Sequence, residues 1–175
     1  RMSRGLGDVY KRQGYLNPIM KFGFEAFCQK CVECGIDGVI IPDLPFKDYE
    51  ETYKPIADRY DIRVIMLITP ETSEARVREI DEHTDGFIYM VSSAATTGAQ
   101  KDFDSQKQAY FKKIQDMHLR NPRMVGFGIS NKQTFDAACA NSSGAIIGSR
   151  FVTLLNEAEG DAEKAITQLK EGLKK

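Results

Sequence analysis

Five short runs of this sequence are apolar at consecutive positions rather than at alternate ones: residues 38–43, 63–69, 86–92, 123–130 and 144–149. Their cores, such as GVII, VIMLI, FIYMV and AII, are rich in β-branched residues. A strand that is apolar on both faces must be covered on both faces, which is how the strands of a parallel sheet read. Between the runs the period changes. Residues 21–35 place Phe24, Phe27, Cys28 and Cys31 at i, i+3, i+4 and i+7, one helical stripe. Thr69-Pro70-Glu71 offers a capping hydroxyl, a proline for the first helical position and an acid for the first turn, so a helix is expected to open there. Ser130 to Gln133 fits an S-x-x-Q capping box and opens a helix through Ala140. Tyr110, Ile114 and Met117 stripe a helix near 105–119. Residues 15–20 read as the tail of a sixth strand or the loop after it. Strand and helix alternate, so the expected class is parallel α/β.

Two architectures satisfy that alternation. A doubly wound open sheet is complete at five or six strands, whereas an eight-stranded barrel needs about 250 residues, and this chain has 175. Charge is balanced, 24 basic against 25 acidic residues, which excludes the basic footprint of a nucleic-acid binder. The longest aliphatic run, 64–68, is far short of the roughly 20 residues of a membrane helix. No charged start leads into an apolar stretch, so no secretory signal is visible and a cytoplasmic domain is expected. Residues 1–13, RMSRGLGDVYKRQ, carry four basic residues and no helix or strand period. They read as a natural basic arm or, resembling a translated adapter sequence, as a non-native leader; they are set apart as the latter, leaving 14–175 as the folding body and the chain as a piece of a longer protein.

The C-terminal third discriminates further. Met124 leads into Gly126-Phe127-Gly128-Ile129-Ser130, and the next strand ends Ile147-Gly148-Ser149. After Ser149 come a short helix at 150–158 and a separate last helix at 161–174, striped by Ala162, Ala165, Ile166 and Leu169. Barrel enzymes bind phosphate with the loops after their last two strands and the start of a short extra helix. Glycines let backbone N–H groups approach an anion, and a helix start supplies partial positive charge. Each glycine alone would be an ordinary tight turn. Two consecutive glycine-ended strands plus the extra helix favour a phosphate. Asn131 breaks the G-x-G-x-x-G pattern, so a dinucleotide is disfavoured. The small, hydroxyl-rich stretch 92–100 reads as a lid or as a plain solvated connection.

These residues together resemble the tryptophan synthase α-subunit family. The resemblance rests on Tyr15-Leu16-Asn17-Pro18, the IIPDLP run at 40–45, Thr69-Pro70-Glu71-Thr72, Tyr89 followed by SSAATTGAQ, GFGIS at 126–130 and GAIIGS at 144–149. It implies an α/β fold of the (β/α)8 TIM-barrel type, present here as a truncated barrel of about six β/α units. The implied activity is retro-aldol cleavage of indole-3-glycerol phosphate to indole and glyceraldehyde 3-phosphate, a lyase step of L-tryptophan biosynthesis. The implied partner is a tryptophan synthase β subunit in an α2β2 heterotetramer. Pyridoxal phosphate belongs to that partner, so no cofactor and no metal are expected on this chain.

The resemblance also assigns residues. Gly98, Gly128, Gly148 and Ser149 would hold the substrate phosphate. Tyr15, Ile40, Leu67, Phe127, Ile129 and Ile146 would line the substrate pocket, with Tyr89 against the indole ring. Thr97 matches a lid threonine that orients a catalytic aspartate, and Asn17 and Pro45 fall where the family meets its β partner. The family's catalytic glutamate and aspartate match no acidic residue of this sequence. The aspartate corresponding to Asp43 is neither. The chain alone is therefore expected to be inactive. The alternative reading is a non-catalytic phosphate-binding module that only docks a β-type subunit. A sugar-phosphate epimerase, a same-fold rival, would show metal-ligand histidines at strand ends, and none occurs.

Two further patterns look like chemistry and reduce to structure. Cys28, Cys31 and Cys34 are spaced like cluster ligands, but they sit on a helix, where a rise of about 1.5 Å per residue spreads them along the axis instead of around an ion. His83 and His118 fall near expected helix C-termini, where the dipole favours a cation, and neither has the neighbours of a catalytic triad.

Overall fold

The computed structural model describes residues 15–91, 105–126 and 128–174, which form two compact units. The first holds the described residues up to Leu67 together with Thr72–Ile88, and the second holds Ile68–Glu71 and the described residues from Tyr89 onward. The leader expected at 1–13 lies outside the described residues.

The first unit opens with helices α1 (Leu16–Phe22) and α2 (Phe24–Glu33). This corrects the expectation of a strand tail or the loop after it at 15–20. Pro18 lies in the first turn of α1, where a missing N–H breaks no intrahelical bond. Gly23, at φ 96°, joins the two helices, its N–H donating back to the Ile19 carbonyl at 2.9 Å. Helix α2 buries the expected stripe of Phe24, Cys28 and Cys31. Strand β1 (Gly38–Ile40) pairs in parallel with β2 (Arg63–Ile65), Val39 opposite Val64.

Between them runs a helical stretch that the sequence reading did not name. It comprises α3 (Phe46–Asp48), a π-helical turn (Tyr49–Tyr53) and α4 (Lys54–Arg59). Phe46, Tyr49, Tyr53 and Ala57 are its buried face. Helix α5 (Glu74–His83) starts later than expected, because Ser73 rather than Thr69 is its cap, Oγ accepting from the Arg76 N–H at 3.3 Å. At its far end His83 is paired through Nδ1 with Glu50 of the π-helical turn.

The single run expected at 63–69 is divided at Met66. Its second half, β3 (Leu67–Ile68), is the edge of a four-stranded sheet ordered β3–β4–β5–β6, with β4 (Ile88–Val91), β5 (Arg123–Gly126) and β6 (Gly144–Ala145). Strands β5 and β6 are parallel, Val125 opposite Ala145. Ile68, Met90, Phe111, Val125 and Thr134 are fully buried within the second unit.

Its helices are α6 (Ser105–Asp116), α7 (Lys132–Cys139), α8 (Ser149–Glu157) and α9 (Ala162–Gly172). The capping box of α7 is shifted by one residue from the expected Ser130–Gln133 to Asn131–Thr134, because Asn131 Oδ1 accepts the Thr134 N–H at 2.8 Å and Thr134 Oγ1 in turn accepts the Asn131 N–H. Helices α8 and α9 pack Leu154, Ala158 and Ala165 together. Ile166, read as part of that stripe, faces solvent, since Ala165 takes the position against α8.

Candidate functional site

Two glycine-ended strands of the second unit each run into a helix, and the two helix starts are built differently. After β5, Gly126 is buried, and a Cβ placed on it would lie 1.9 Å from Tyr89 Oη and 2.2 Å from Cζ. Gly126 is therefore glycine because the Tyr89 ring, itself 3% exposed, occupies the space a side chain would need. Gly128 follows at φ 80°, a conformation costly for other residues. The start of α7 is then closed by its own side chains. Asn131 Oδ1 accepts from the Thr134 N–H at 2.8 Å, and Thr134 Oγ1 accepts from the N–H groups of Ser130 and Asn131 at 3.2 and 3.3 Å.

After β6 the chain leaves its helix start bare. Gly148 is the N-cap of α8 and offers no side-chain cap, and among the described residues nothing lies within 4 Å of the Cβ it lacks. The first turn of α8 contains no acidic residue. The N–H groups ahead of Val152, whose own N–H reaches the Gly148 carbonyl at 3.1 Å, have no acceptor inside the helix. Exposed donors, the positive end of the dipole and an absence of side-chain bulk give this start, rather than that of α7, the physical features that favour an anion. Ile146 approaches it from β6, its N–H held by the Val125 carbonyl at 2.8 Å. Ser149, the first residue of α8, is exposed, and Ile129 is buried after β5. Tyr89, Gly128, Ile129, Ile146, Gly148 and Ser149 thus all belong to the second unit, at or beyond three successive strands of its sheet. Thr97, Gly98 and Phe127 lie outside the described residues.

The remaining expected site residues are in the first unit. Tyr15 is exposed and precedes α1, Asn17 is exposed in the first turn of α1, and Ile40 is the half-buried end of β1. Pro45 is exposed and caps α3. Leu67 is half-buried and joins Ile41, Leu44, Phe46, Met66 and Arg76 around a cavity of about 170 Å³. Arg76 lies over the Phe46 ring at 5.0 Å and pairs with Glu79 at 2.7 Å.

Two contributors escaped the sequence reading. Gly126 stands in the same glycine-ended strand as Gly128, yet its neighbour is a tyrosine. Asp43, weighed only as an acid or base, accepts the Leu16 N–H at 2.8 Å. Its position in a proline-containing turn between two buried residues is the signal that suits an aspartate to structural hydrogen bonding. Three of the thiols are pushed away from activation. Burial first, then Cys31 and Glu25, pushes the Cys28 thiol up to about 11, and burial also raises Cys31 and Cys139. Protonated thiols make poor metal ligands and nucleophiles at neutral pH.

Residues 13–175 match the family model described as the tryptophan synthase alpha chain. The chain is 80% identical over 157 residues to the tryptophan synthase alpha chain of Bacteroides fragilis, covering 90% of this chain and 59% of that one. It is 79% identical over 161 residues to that of Bacteroides thetaiotaomicron, covering 92% and 62%. The chain therefore spans about three-fifths of the length of these curated relatives. Among solved structures it is similar to a tryptophan synthase α-subunit from Pyrococcus furiosus, with a TM-score of 0.76 at 28% identity over 91% of this chain and 63% of that one. The tryptophan synthase complex from the same organism matches with a TM-score of 0.76 at 26% identity, with the same coverage. The parallel α/β architecture here is accordingly part of a (β/α)8 barrel.

Proposed function

Because the chain belongs to the tryptophan synthase alpha chain family, we propose that its second unit holds the phosphate of indole-3-glycerol phosphate, the substrate whose retro-aldol cleavage yields indole and glyceraldehyde 3-phosphate in tryptophan biosynthesis. The observation that carries this reading is the start of α8, where among the described residues Gly148 leaves open space and uncapped N–H groups. Three phosphate oxygens can accept from such donors while the dipole offsets part of the charge. In this reading Gly128, Ser149 and Gly98 complete the phosphate cradle. Phe127, Ile129 and Ile146 border the glycerol chain. Tyr15, Ile40, Leu67 and Tyr89 serve the indole ring, and Thr97 orients a carboxylate.

In this reading the two catalytic carboxylates of the family match no residue of this sequence, and the 175-residue chain by itself binds without turnover. Indole made by a complete active site would pass to a β subunit, whose pyridoxal phosphate supplies the chemistry that joins it to an amino-acid carbon skeleton. Asn17 and Pro45 are the contacts assigned to that partner, and the assembly is the α2β2 heterotetramer.

The test is a calorimetric titration of the purified chain with indole-3-glycerol phosphate, glyceraldehyde 3-phosphate and indole, together with an assay for released indole. Binding of both phosphate esters that is weakened by Gly148→Asp is the expected outcome. Equal affinity for indole and indole-3-glycerol phosphate would remove the phosphate site. Steady release of indole would remove the claim of binding without turnover.

A further inference from the structure

Helix α1 is capped from a distance. Its N-cap, Tyr15, provides no side-chain acceptor, and Pro18 contributes no N–H to the first turn. The acceptor for the Leu16 N–H is instead Asp43 Oδ1 at 2.8 Å, from a residue 27 positions later in the chain. Asp43 stands in the turn that follows β1, where the Leu44 N–H donates to the Ile41 carbonyl at 3.2 Å. Ile41 and Leu44 are 2% and 7% exposed, so the turn is anchored at both ends while Asp43 points outward. Pro45 then caps α3, its carbonyl accepting from the Tyr49 N–H at 2.9 Å. At the other end of α1, Tyr53 Oη donates to Met20 Sδ at 2.7 Å. One carboxylate thus joins the first turn of α1, which carries Asn17, to the turn that leads into Pro45.

We infer that Asp43 is a positioning residue for partner docking, fixing the spacing of Asn17 and Pro45 by accepting the Leu16 N–H. The inference rests on the reading above that these two residues face the β subunit. An exposed loop pair that is ordered before binding loses less conformational entropy on binding. The role needs an acceptor oxygen at Oδ1 and no proton transfer, so asparagine should replace aspartate and alanine should not. This separates positioning from a charge contact made directly with a partner.

The experiment measures the affinity of the full 175-residue chain for a purified tryptophan synthase β chain, alongside amide hydrogen exchange at Leu16. Calorimetry with glyceraldehyde 3-phosphate checks the second unit of each variant. Asp43→Ala is expected to weaken β-chain binding about fivefold, the scale of one exposed hydrogen bond, and to speed Leu16 exchange. Asp43→Asn should stay within about twofold on both readouts, and both variants should bind the phosphate ester like the parent. Equal losses in Asp43→Asn and Asp43→Ala would overturn the acceptor role in favour of charge. An unchanged affinity in Asp43→Ala, with Asn17→Ala weakening binding, would remove the positioning role and leave the partner face standing. A parent chain that does not bind the β chain, or binds it equally well with Asn17→Ala and Asp43→Ala, would bring down the partner reading and this inference with it.

Discussion

The starts of α7 and α8 invite comparison because the sequence writes them almost alike, each as a short strand, glycine, and a polar residue opening a helix. Physically they are opposites. Before α7 the buried glycine is filled by Tyr89 and the helix end is closed by Asn131 and Thr134. Before α8 the glycine faces open space and no side chain caps the helix, among the described residues. A glycine in a strand end can therefore make room for a neighbour inside the protein or for a ligand outside it, and only the surroundings tell which.

The largest test of that contrast is Gly126→Val. Its side chain would collide with the Tyr89 ring, and a loss of about 3 kcal/mol in urea denaturation is expected. Adding Tyr89→Ala should return at least about 1 kcal/mol of the coupling, and an additive double mutant would break the assignment of the space to Tyr89. Gly148→Asp comes next and should separate the two quantities. A carboxylate at an N-cap is welcome to the helix, so stability should hold or rise by a few tenths of a kcal/mol, while phosphate-ester affinity falls at least about tenfold. A stability loss with unchanged affinity would reverse the roles assigned to the two glycines. Asn131→Ala should cost about 1 kcal/mol by opening the α7 cap and leave phosphate-ester affinity within about twofold.

The smallest effect lies in the first unit and gives a background for the other three. Cys28 is raised from 9.0 to about 11, chiefly by burial. Below pH 9 the thiol is protonated folded or unfolded, and its contribution is whole. Between 9 and about 11 the unfolded chain ionises first, so stability should decline over that window. Cys28→Ala should flatten that decline in pH-dependent denaturation, whereas an unchanged slope would assign it to other groups.

The strand-and-helix alternation was legible because burial on both sheet faces writes itself into consecutive apolar residues. What escaped was decided at longer range. Phe46, Tyr49, Tyr53 and Ala57 have helical spacing, yet Pro55 reads as a breaker. The π-helical turn ends just before it, so the proline falls in the first turn of α4 where its missing N–H is harmless. The run VIMLI carries no mark at Met66 of the passage from one sheet to another, since both halves are equally apolar. Of the candidate site, the glycines at 128 and 148 were readable as motifs. The difference between Gly126 and Gly148 was not, because it depends on where Tyr89 lies in space. Asp43 was visible as a polar residue in a turn, but its donor is 27 residues away.

The passage at Met66 has a consequence for how the gene can be divided. The chain enters the second unit for only four residues, Ile68–Glu71, returns to the first through Ile88, and then leaves it. Ile68, fully buried, is the part of β3 that the second unit owns. No single break point between residues 67 and 89 yields two self-sufficient halves: a break near 70 strips the first half of α5, and one near 88 strips the second of its edge strand. During synthesis the same thread keeps Ile68 waiting on the ribosome's delivery of β4 before the sheet it edges can begin to form.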